Sequence, residues 1–545
     1  MKQGIRSLLV ALSFAVSTTA LAAGNAGGVF DLHQVVVTGQ SLPGSPQTFL
    51  TGFGVPLAPT VSQGRVAIGS ANGGLWYESF ANPGTRVLVG LENTWALSGA
   101  APGAKWSAPT RPIFDSSGSV TGSGLPNSSG FFNVITTGSP GTFQQVAGGG
   151  YAAPGLSGPA FASFDLWRPA VNPDGLIAFQ AGTDDGRQGI WYKQPGQPTA
   201  MLVARGQQAP GFAPGITYQS AGLPVTPSNF SAPAINQSGQ IAFHGTLTQG
   251  GSVTSANDEV VWAGSLTSPT PVLREGAVLQ PGTLTFNGAR GAPDINNAGV
   301  LAVRGLMGAP NQYGIVSISG STQTVLARSG QHGPGMAANE VWRNGTSGVE
   351  LTTPIVNGAG KAIFTGSFGG GSSADKTGLW MGDSSQLQML ASTGSAVAGT
   401  SLHIANIDTE HLEANARGDI VFSGWLDDLS VNDYALFHWD SVHGVSLVAA
   451  YGSTLEVSPG VFRTISSFDW VYGSGGQDGR PSSLDDYGHL AFFAGFTDGT
   501  GGIYSTTVPS AGWMGSMAIC GTLCGCRRRR ATRREAAGLR TFGCN

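Results

Sequence analysis

The first 519 residues contain no cysteine; the four that exist (Cys520, Cys524, Cys526 and Cys544) all sit at the C-terminal end. Disulfides are thereby excluded as a source of stability for the body of the chain, which must rely on its apolar core and hydrogen-bonded ladders. Cys520-x3-Cys524-x-Cys526 has no histidine beside it and does not have the spacing of a zinc site. Charge is scarce too, at 11% of residues. Setting aside Lys2, Arg6, the seven tail arginines (Arg527–Arg530, Arg533, Arg534, Arg540) and Glu535 leaves 18 basic residues against 30 acidic ones. An acidic body poor in lysine has no surface that tracks phosphates, so no nucleic-acid partner is expected. Helical patterns are missing almost everywhere, so the GDSS phrase at 382–385 lacks the strand–elbow–helix setting of a hydrolase serine. His438 and His443 flank an expected turn with no third ligand nearby. No catalytic residue and no metal site is assigned.

What the chain has in abundance is a repeated phrase. A short apolar run, an Asn/Asp-x-x-Gly turn and an alternating strand recur in AVNPDGLIAF (170–179), AINQSGQIAF (234–243), DINNAGVLAV (294–303), IVNGAGKAIF (355–364) and EANARGDIVF (413–422). Looser copies are IFDSSGSVTG (113–122), LDDYGHLAFF (484–493) and TVSQGRVAIG (60–69), which makes eight in all. Asn or Asp opening the turn and Gly closing it are the preferences of a type I turn. Seven pairs are therefore read as structural turn residues: Asp115 with Gly118, Asn172 with Gly175, Asn236 with Gly239, Asn296 with Gly299, Asn357 with Gly360, Asn415 with Gly418, and Asp485 with Gly488. Successive turn glycines, from Gly64 to Gly488, lie 54 to 70 residues apart, room for about four short strands per unit.

Two further markers complete each unit. GLWY (74–77), GIWY (189–192), VVWA (260–263) and GLWM (378–381) mark a third strand, and LVARGQQAPG (202–211) or VLARSGQHGPG (325–335) a closing one. The eighth unit ends after GIYS (502–505) without a closing strand, while a spare one, VVVTGQSLPG (35–44), precedes the first turn. Pairing the two closes a ring. The expected fold is all-β: a β-propeller of four-stranded antiparallel blades, eight in number, closed by the N-terminal strand. A seven-bladed ring with one degenerate unit and an open β-solenoid are the alternatives.

The tandem NxxGxxAF pattern over residues 30–506 resembles the family of bacterial exported choice-of-anchor tandem repeat NxxGxxAF-containing proteins. That resemblance implies a repeat domain delivered to the cell surface by an interchangeable C-terminal anchor. It supplies no activity and no catalytic residues. Lys2 and Arg6, the apolar run Leu8–Val16 and Ala20-Leu21-Ala22 read as a signal peptide over residues 1–22. Val508-Pro509-Ser510, an apolar stretch and Arg527–Arg530 resemble a PEP-CTERM-type sorting segment over 507–530, followed by a basic tail at 531–545. The expected location is therefore outside the bacterial cell, secreted or surface-anchored, with membrane contact only through the C-terminal segment.

In a propeller, alternate loops share a face. The face opposite the turns gathers Asp184, Asp185, Asp258, Asp427, Asp428 and Asp498 with Arg205, Arg274 and Arg328, the candidate ligand-binding residues. Clustered carboxylates suit calcium, but no D-x-[DN]-x-[DN]-G run is present and the DDG and TDG phrases serve as hairpin turns. No cofactor is expected, with calcium as the alternative. SFDLW (163–167) and SFDW (467–470) offer aromatics either to sugar rings or to the gaps between blades. The function expected is that of a monomeric binding or structural protein, its partner a glycan or a surface protein; a polysaccharide hydrolase or lyase is the alternative.

Overall fold

The computed structural model describes residues 30–508 except for 47, 50–57, 71–72, 93, 95, 101–103, 125–133, 165–168, 220–229, 280–283, 309–311, 344–350, 371–373 and 428–433. The expected signal peptide over 1–22, and the expected sorting segment and basic tail beyond Val508, lie outside the described residues. Every element among them is a strand, and the strands form eight antiparallel sheets arranged as the blades of a β-propeller. Blades 1 to 7 run in chain order. Their outer strands are Arg86–Leu91, Gln144–Gly148, Ala200–Ala204, Ser268–Arg274, Thr322–Arg328, Leu387–Ser392 and Gly444–Ala450. Blade 8 takes Val461–Asp469, His489–Phe496 and Gly501–Thr507 from the C-terminal end and His33–Val37 from the N-terminal end.

That N-terminal strand is a true outer strand. In blades 1 to 7 the pairing of the third and outer strands slips by one residue at the marker aromatic or its equivalent, as between Ile190 and Trp191, Val261 and Trp262, or Leu379 and Trp380. The same slip occurs where Ile503 pairs with Val36 and Tyr504 with Gln34. A bulge is a property of the pair of strands, so its presence at the joint shows that two segments distant in sequence reproduce the geometry of a continuous blade. His33 also meets Glu78 of blade 1 at 2.6 Å, and Arg86 donates to the Val35 carbonyl at 2.7 Å. The closing strand thus fastens to blade 1 as well as to blade 8.

The repeat residues explain the assembly. In each turn the Asn Oδ1 accepts from the backbone four residues on, and in all but the Asn236 turn from two residues on as well, as from Leu176 and Asp174 to Asn172 at 2.9 and 3.1 Å. The Nδ2 of the same side chain reaches the next blade: Asn236 donates to the Asn296 carbonyl and Asn296 to the Asn357 carbonyl, each at 2.9 Å. Aspartate at this position can make the first contact only, because a carboxylate has no donor. The fourth turn residues behave as one set. Gly118, Gly175, Gly239, Gly299, Gly360, Gly418 and Gly488 have φ of +86°, +80°, +74°, +77°, +78°, +91° and +85°, the left-handed conformation that follows a type I turn and is natural to glycine. Each donates its N–H to the carbonyl of the Asn or Asp that opens its turn, from Gly118 to Asp115 through Gly239 to Asn236, Gly299 to Asn296, Gly360 to Asn357 and Gly418 to Asn415, at 3.0–3.1 Å. The Phe that ends the motif pairs across the strand with the marker Trp, and Phe179–Trp191, Phe243–Trp262 and Phe364–Trp380 stack at 6.5, 5.5 and 5.9 Å.

Each of these tryptophans has its indole N–H fixed by the preceding blade's closing phrase. Trp76, Trp191, Trp262 and Trp380 donate to the carbonyls of Pro43, Pro154, Pro210 and Pro334 at 2.8, 3.0, 3.1 and 3.2 Å. The apolar residues accordingly divide into eight clusters, each lying at a junction between neighbouring blades, such as that of Ile190, Phe230, Phe243 and Trp262 between blades 3 and 4. A ring held at its junctions leaves its axis free for other uses.

Candidate functional site at the propeller axis

The axis is filled by the chain itself. Between Val461–Asp469 and the last turn, residues 470–484 leave blade 8 and cross the centre of the ring. The innermost strands there expose N–H groups that have no further strand to pair with, and this strap supplies their acceptors. Val61, Val171, Ile235 and Ala414, from blades 1, 3, 4 and 7, donate to the carbonyls of Ser482, Gly479, Asp478 and Ser474 at 2.7, 2.6, 2.8 and 3.0 Å. The close approach requires glycine. Gly479 has φ +73°, and a Cβ on it would stand 2.9 Å from the Ile235 carbonyl oxygen.

The strap carries charge into the interior. Asp478 is fully buried and meets Arg480 at 3.0 Å, while Ser474 donates to its other oxygen at 2.5 Å. Arg480 also donates to the Pro293 carbonyl at 2.7 Å. Around this pair lie Asp294, which accepts from Ile295 and Val356 N–H at 2.7 Å each, and Glu413 beside Ser482; both are fully buried. Burial first, and then the Asp478 charge, push the Asp294 carboxyl well above the usual carboxylate range, and burial does the same to Glu413. The shift favours the neutral, protonated form of both, which eases the placing of three buried acids beside one guanidinium. Among the described residues no group of three or more His, Cys, Asp or Glu side chains is placed to hold a metal ion.

On the turn face the axis opens into a cavity of about 380 Å³ with the strap as its floor. Its rim is made by residues inside the repeated turns, between the fixed Asn/Asp and Gly: Ser116, Asp174, Gln237, Asn297, Asp486 and Tyr487, joined by Gln477 of the strap. These side chains bond round the rim. Gln477 Oε1 accepts from Asn297 N–H at 3.0 Å, Asn297 Oδ1 from Gln237 N–H at 2.9 Å, and Asp486 from Ala416 N–H at 2.8 Å. Turn chemistry accounts for the fixed Asn, Asp and Gly but not for the residues between them, which form this rim. The available signal was the variation between the fixed Asn and Gly: Ser-Ser, Pro-Asp, Gln-Ser, Asn-Ala, Gly-Ala, Ala-Arg and Asp-Tyr.

Asp486 is the titrating group of this mouth. Burial above all, with the nearby Asp485 and Asp478 charges, raises its carboxyl to about 7. Between about 4, where the unfolded carboxyl ionises, and about 7 the unfolded chain releases a proton that the folded chain keeps. Stability contributed by this group is therefore present at low pH and lost as pH rises through that window. Asp486→Asn should remove the loss. Urea unfolding at pH 4 and pH 7 is expected to show the wild type falling by roughly 1–3 kcal/mol relative to the variant, a figure reduced for partial exposure. Parallel curves would sink the assignment.

The loop-face candidates are spread over five blades, and each described one except Arg328 has a partner in its own blade. Asp185 pairs with Arg187 at 2.6 Å, and that hydrogen bond above all lowers its carboxyl to about 2. Asp184 accepts from Ala160 N–H at 3.1 Å, and Arg205 donates to the Gly186 carbonyl at 3.2 Å. Asp258 takes the Gln249 amide at 2.7 Å; Arg274 donates to the Asn257 carbonyl at 2.7 Å and stands over the Phe212 ring. Asp427 holds His403, at 2.8 Å to its N–H and 2.9 Å to its ring, and Asp498 meets Arg463 at 3.1 Å. Arg328, half-buried, closes blade 5. Asp428 lies outside the described residues.

Of the repeated aromatic phrases, Phe468 stacks on Tyr434 at 5.2 Å and Trp470 is buried against Tyr472 at 5.7 Å, so SFDW fills the junction of blades 7 and 8. In SFDLW, residues 165–167 lie outside the described residues. His438 is buried in blade 7 and, chiefly by that burial, lowered to about 4, while His443 bonds Asp440 at 2.9 Å.

Several solved structures share the architecture loosely. A polysaccharide lyase, Uly1, aligns at 10% identity over 87% of this chain and 98% of its own, with a TM-score of 0.34. The designed protein Ika8 aligns at 10% identity over 87% and 99%, also at 0.34. Trypanosoma rangeli sialidase aligns at 10% over 79% and 60%, at 0.26. Nothing about the site is read from likenesses at this level. No curated protein matches the sequence. The profile of one family matches it twice in overlapping registers, at residues 10–307 and 98–511. The chain belongs to that family, DUF7453, a family of unknown function.

Proposed function

We propose that this protein is an exported β-propeller, held at the bacterial surface through its C-terminal segment, that works by binding an extracellular glycan rather than by catalysis. The leader, the resemblance to choice-of-anchor repeat proteins and the PEP-CTERM-like tail support the location. One observation carries the binding reading. The solvent-open hollow at the axis is rigidly backed by the strap and lined by carboxamides, carboxylates and hydroxyls, with no paired nucleophile and base among its described residues. Such a hollow, with a few fixed polar groups converging on it, is the usual form of a small-ligand site.

A second reading, glycan hydrolysis or lysis, draws on Asp486, a carboxyl protonated near neutrality and so suited to general-acid work. A glycan-array screen of the full chain, run beside an activity screen on the same sugars, separates the two. Binding without turnover is the expected result. Turnover would overturn the binding-only reading, and silence in both would replace it with a structural role.

A further inference from the structure

We infer that the axial cavity on the turn face binds the neutral terminal unit of a glycan, gripping hydroxyls with the free ends of two glutamines and stacking the ring on Tyr487. This rests on the binding reading above and adds the place and the chemistry.

Hydrogen-bond direction fixes what the rim offers. Gln477 Oε1 is occupied by the Asn297 N–H at 3.0 Å, and Gln237 Oε1 by the Asn297 Nδ2 at 3.3 Å. An oxygen that accepts leaves the NH2 group of the same amide as the free end, so both glutamines present donors. Asp174, exposed on blade 3, and the half-buried Asp486 present acceptors on the same rim. Donors and acceptors gathered on one opening suit vicinal hydroxyls, each of which gives one bond and takes others. Tyr487 is 58% exposed, among the largest apolar surfaces left uncovered, and it stands in this rim. An exposed aromatic face beside fixed polar groups suits the C–H face of a pyranose ring.

Charge selects among sugars. The one guanidinium at the cavity floor, Arg480, is already paired with Asp478, whereas Asp174 and Asp486 face the opening. An acidic sugar would meet the Asp174 carboxylate, joined by Asp486 as it ionises, and no free cation among the described lining residues. Neutral hexoses and N-acetylhexosamines fit, and uronic or sialic acids do not. The cavity of about 380 Å³ lies at the small end of ligand pockets, which points to recognition of a chain end.

The test uses the full chain on a printed array of neutral and acidic mono- and oligosaccharides, with hits titrated by calorimetry. Tyr487→Ala and Asp174→Asn alter exposed side chains and should leave the melting temperature unchanged. Each is expected to weaken a neutral-glycan hit at least tenfold, while Asp427→Ala on the opposite face leaves it unaltered. A glycan bound equally by Tyr487→Ala but lost with Asp427→Ala would overturn the inference and leave the binding reading standing, as would hits confined to acidic sugars. No binding to any glycan would overturn both.

Discussion

Deleting residues 1–44 is expected to leave a chain that does not form a soluble ring. The deletion removes three side chains wholly or almost wholly buried, Val35, Val36 and Leu42, together with Phe30 at 4% exposure. At about 1.5–3 kcal/mol for each such side chain the loss is roughly 6–12 kcal/mol, comparable with the ~5–15 kcal/mol that is the entire net stability of an ordinary domain. It also takes away the Pro43 carbonyl that holds Trp76 and the His33–Glu78 contact, so blade 1 loosens along with blade 8. The strand Gly501–Thr507 would be left as an unpaired edge, the state that promotes association between chains. Aggregation on expression is the predicted result, checked by size-exclusion chromatography and thermal unfolding. Moving residues 30–46 behind Val508 through a short linker should restore a soluble ring, because the pairing needs the strand and not its position in the chain. A truncated chain that melted within a few degrees of the full one would show that the ring does not depend on this joint.

The architecture was legible because it repeats. Eight turns in phase, three markers per unit and one misplaced closing strand give blade number, strand order and closure without any single strong signal. The turn residues were legible in part. Type I chemistry predicts what Asn Oδ1 and Gly do, and the positive φ from Gly118 to Gly488 agrees with it. It says nothing of the Nδ2 bond from Asn236 to Asn296 in the next blade, which exists only once the blades are assembled. The Trp–Pro bonds between GxW and the PG phrases were hidden for the same reason. The strap that floors the axial site was illegible because residues 470–484 occur once. GSGGQDGRPSS reads as an ordinary linker, and only the ring around it turns its glycines into close contacts and its Asp478 and Arg480 into an interior ion pair. Repetition reveals the scaffold; what differs from the repeat carries the site.

Arg480→Met should be among the most destabilising substitutions in the strap. Asp478 lowers its cost of burial through Arg480 at 3.0 Å, with Ser474 and the Arg480 N–H on its other oxygen. Removing the guanidinium leaves a carboxylate with no charge of opposite sign, beside Asp294 and Glu413, whose carboxyls burial above all pushes well above the usual range. Breaking a buried pair from one side costs about 3–5 kcal/mol, whereas removing both charges can be nearly neutral. Urea unfolding of Arg480→Met at pH 7 is therefore expected to show a loss of that size. Arg480→Met combined with Asp478→Asn should recover most of it, since Asn keeps an acceptor for Ser474. A second readout separates a weakened strap from general damage. Val61, Val171, Ile235 and Ala414 lie in four different blades and share only their acceptors in the strap, so their amides should exchange faster together in Arg480→Met while the blade interiors keep their protection. A single variant within about 1 kcal/mol of wild type, or exchange confined to one blade, would mean that the strap is held by its backbone alone and that the ion pair is incidental to it.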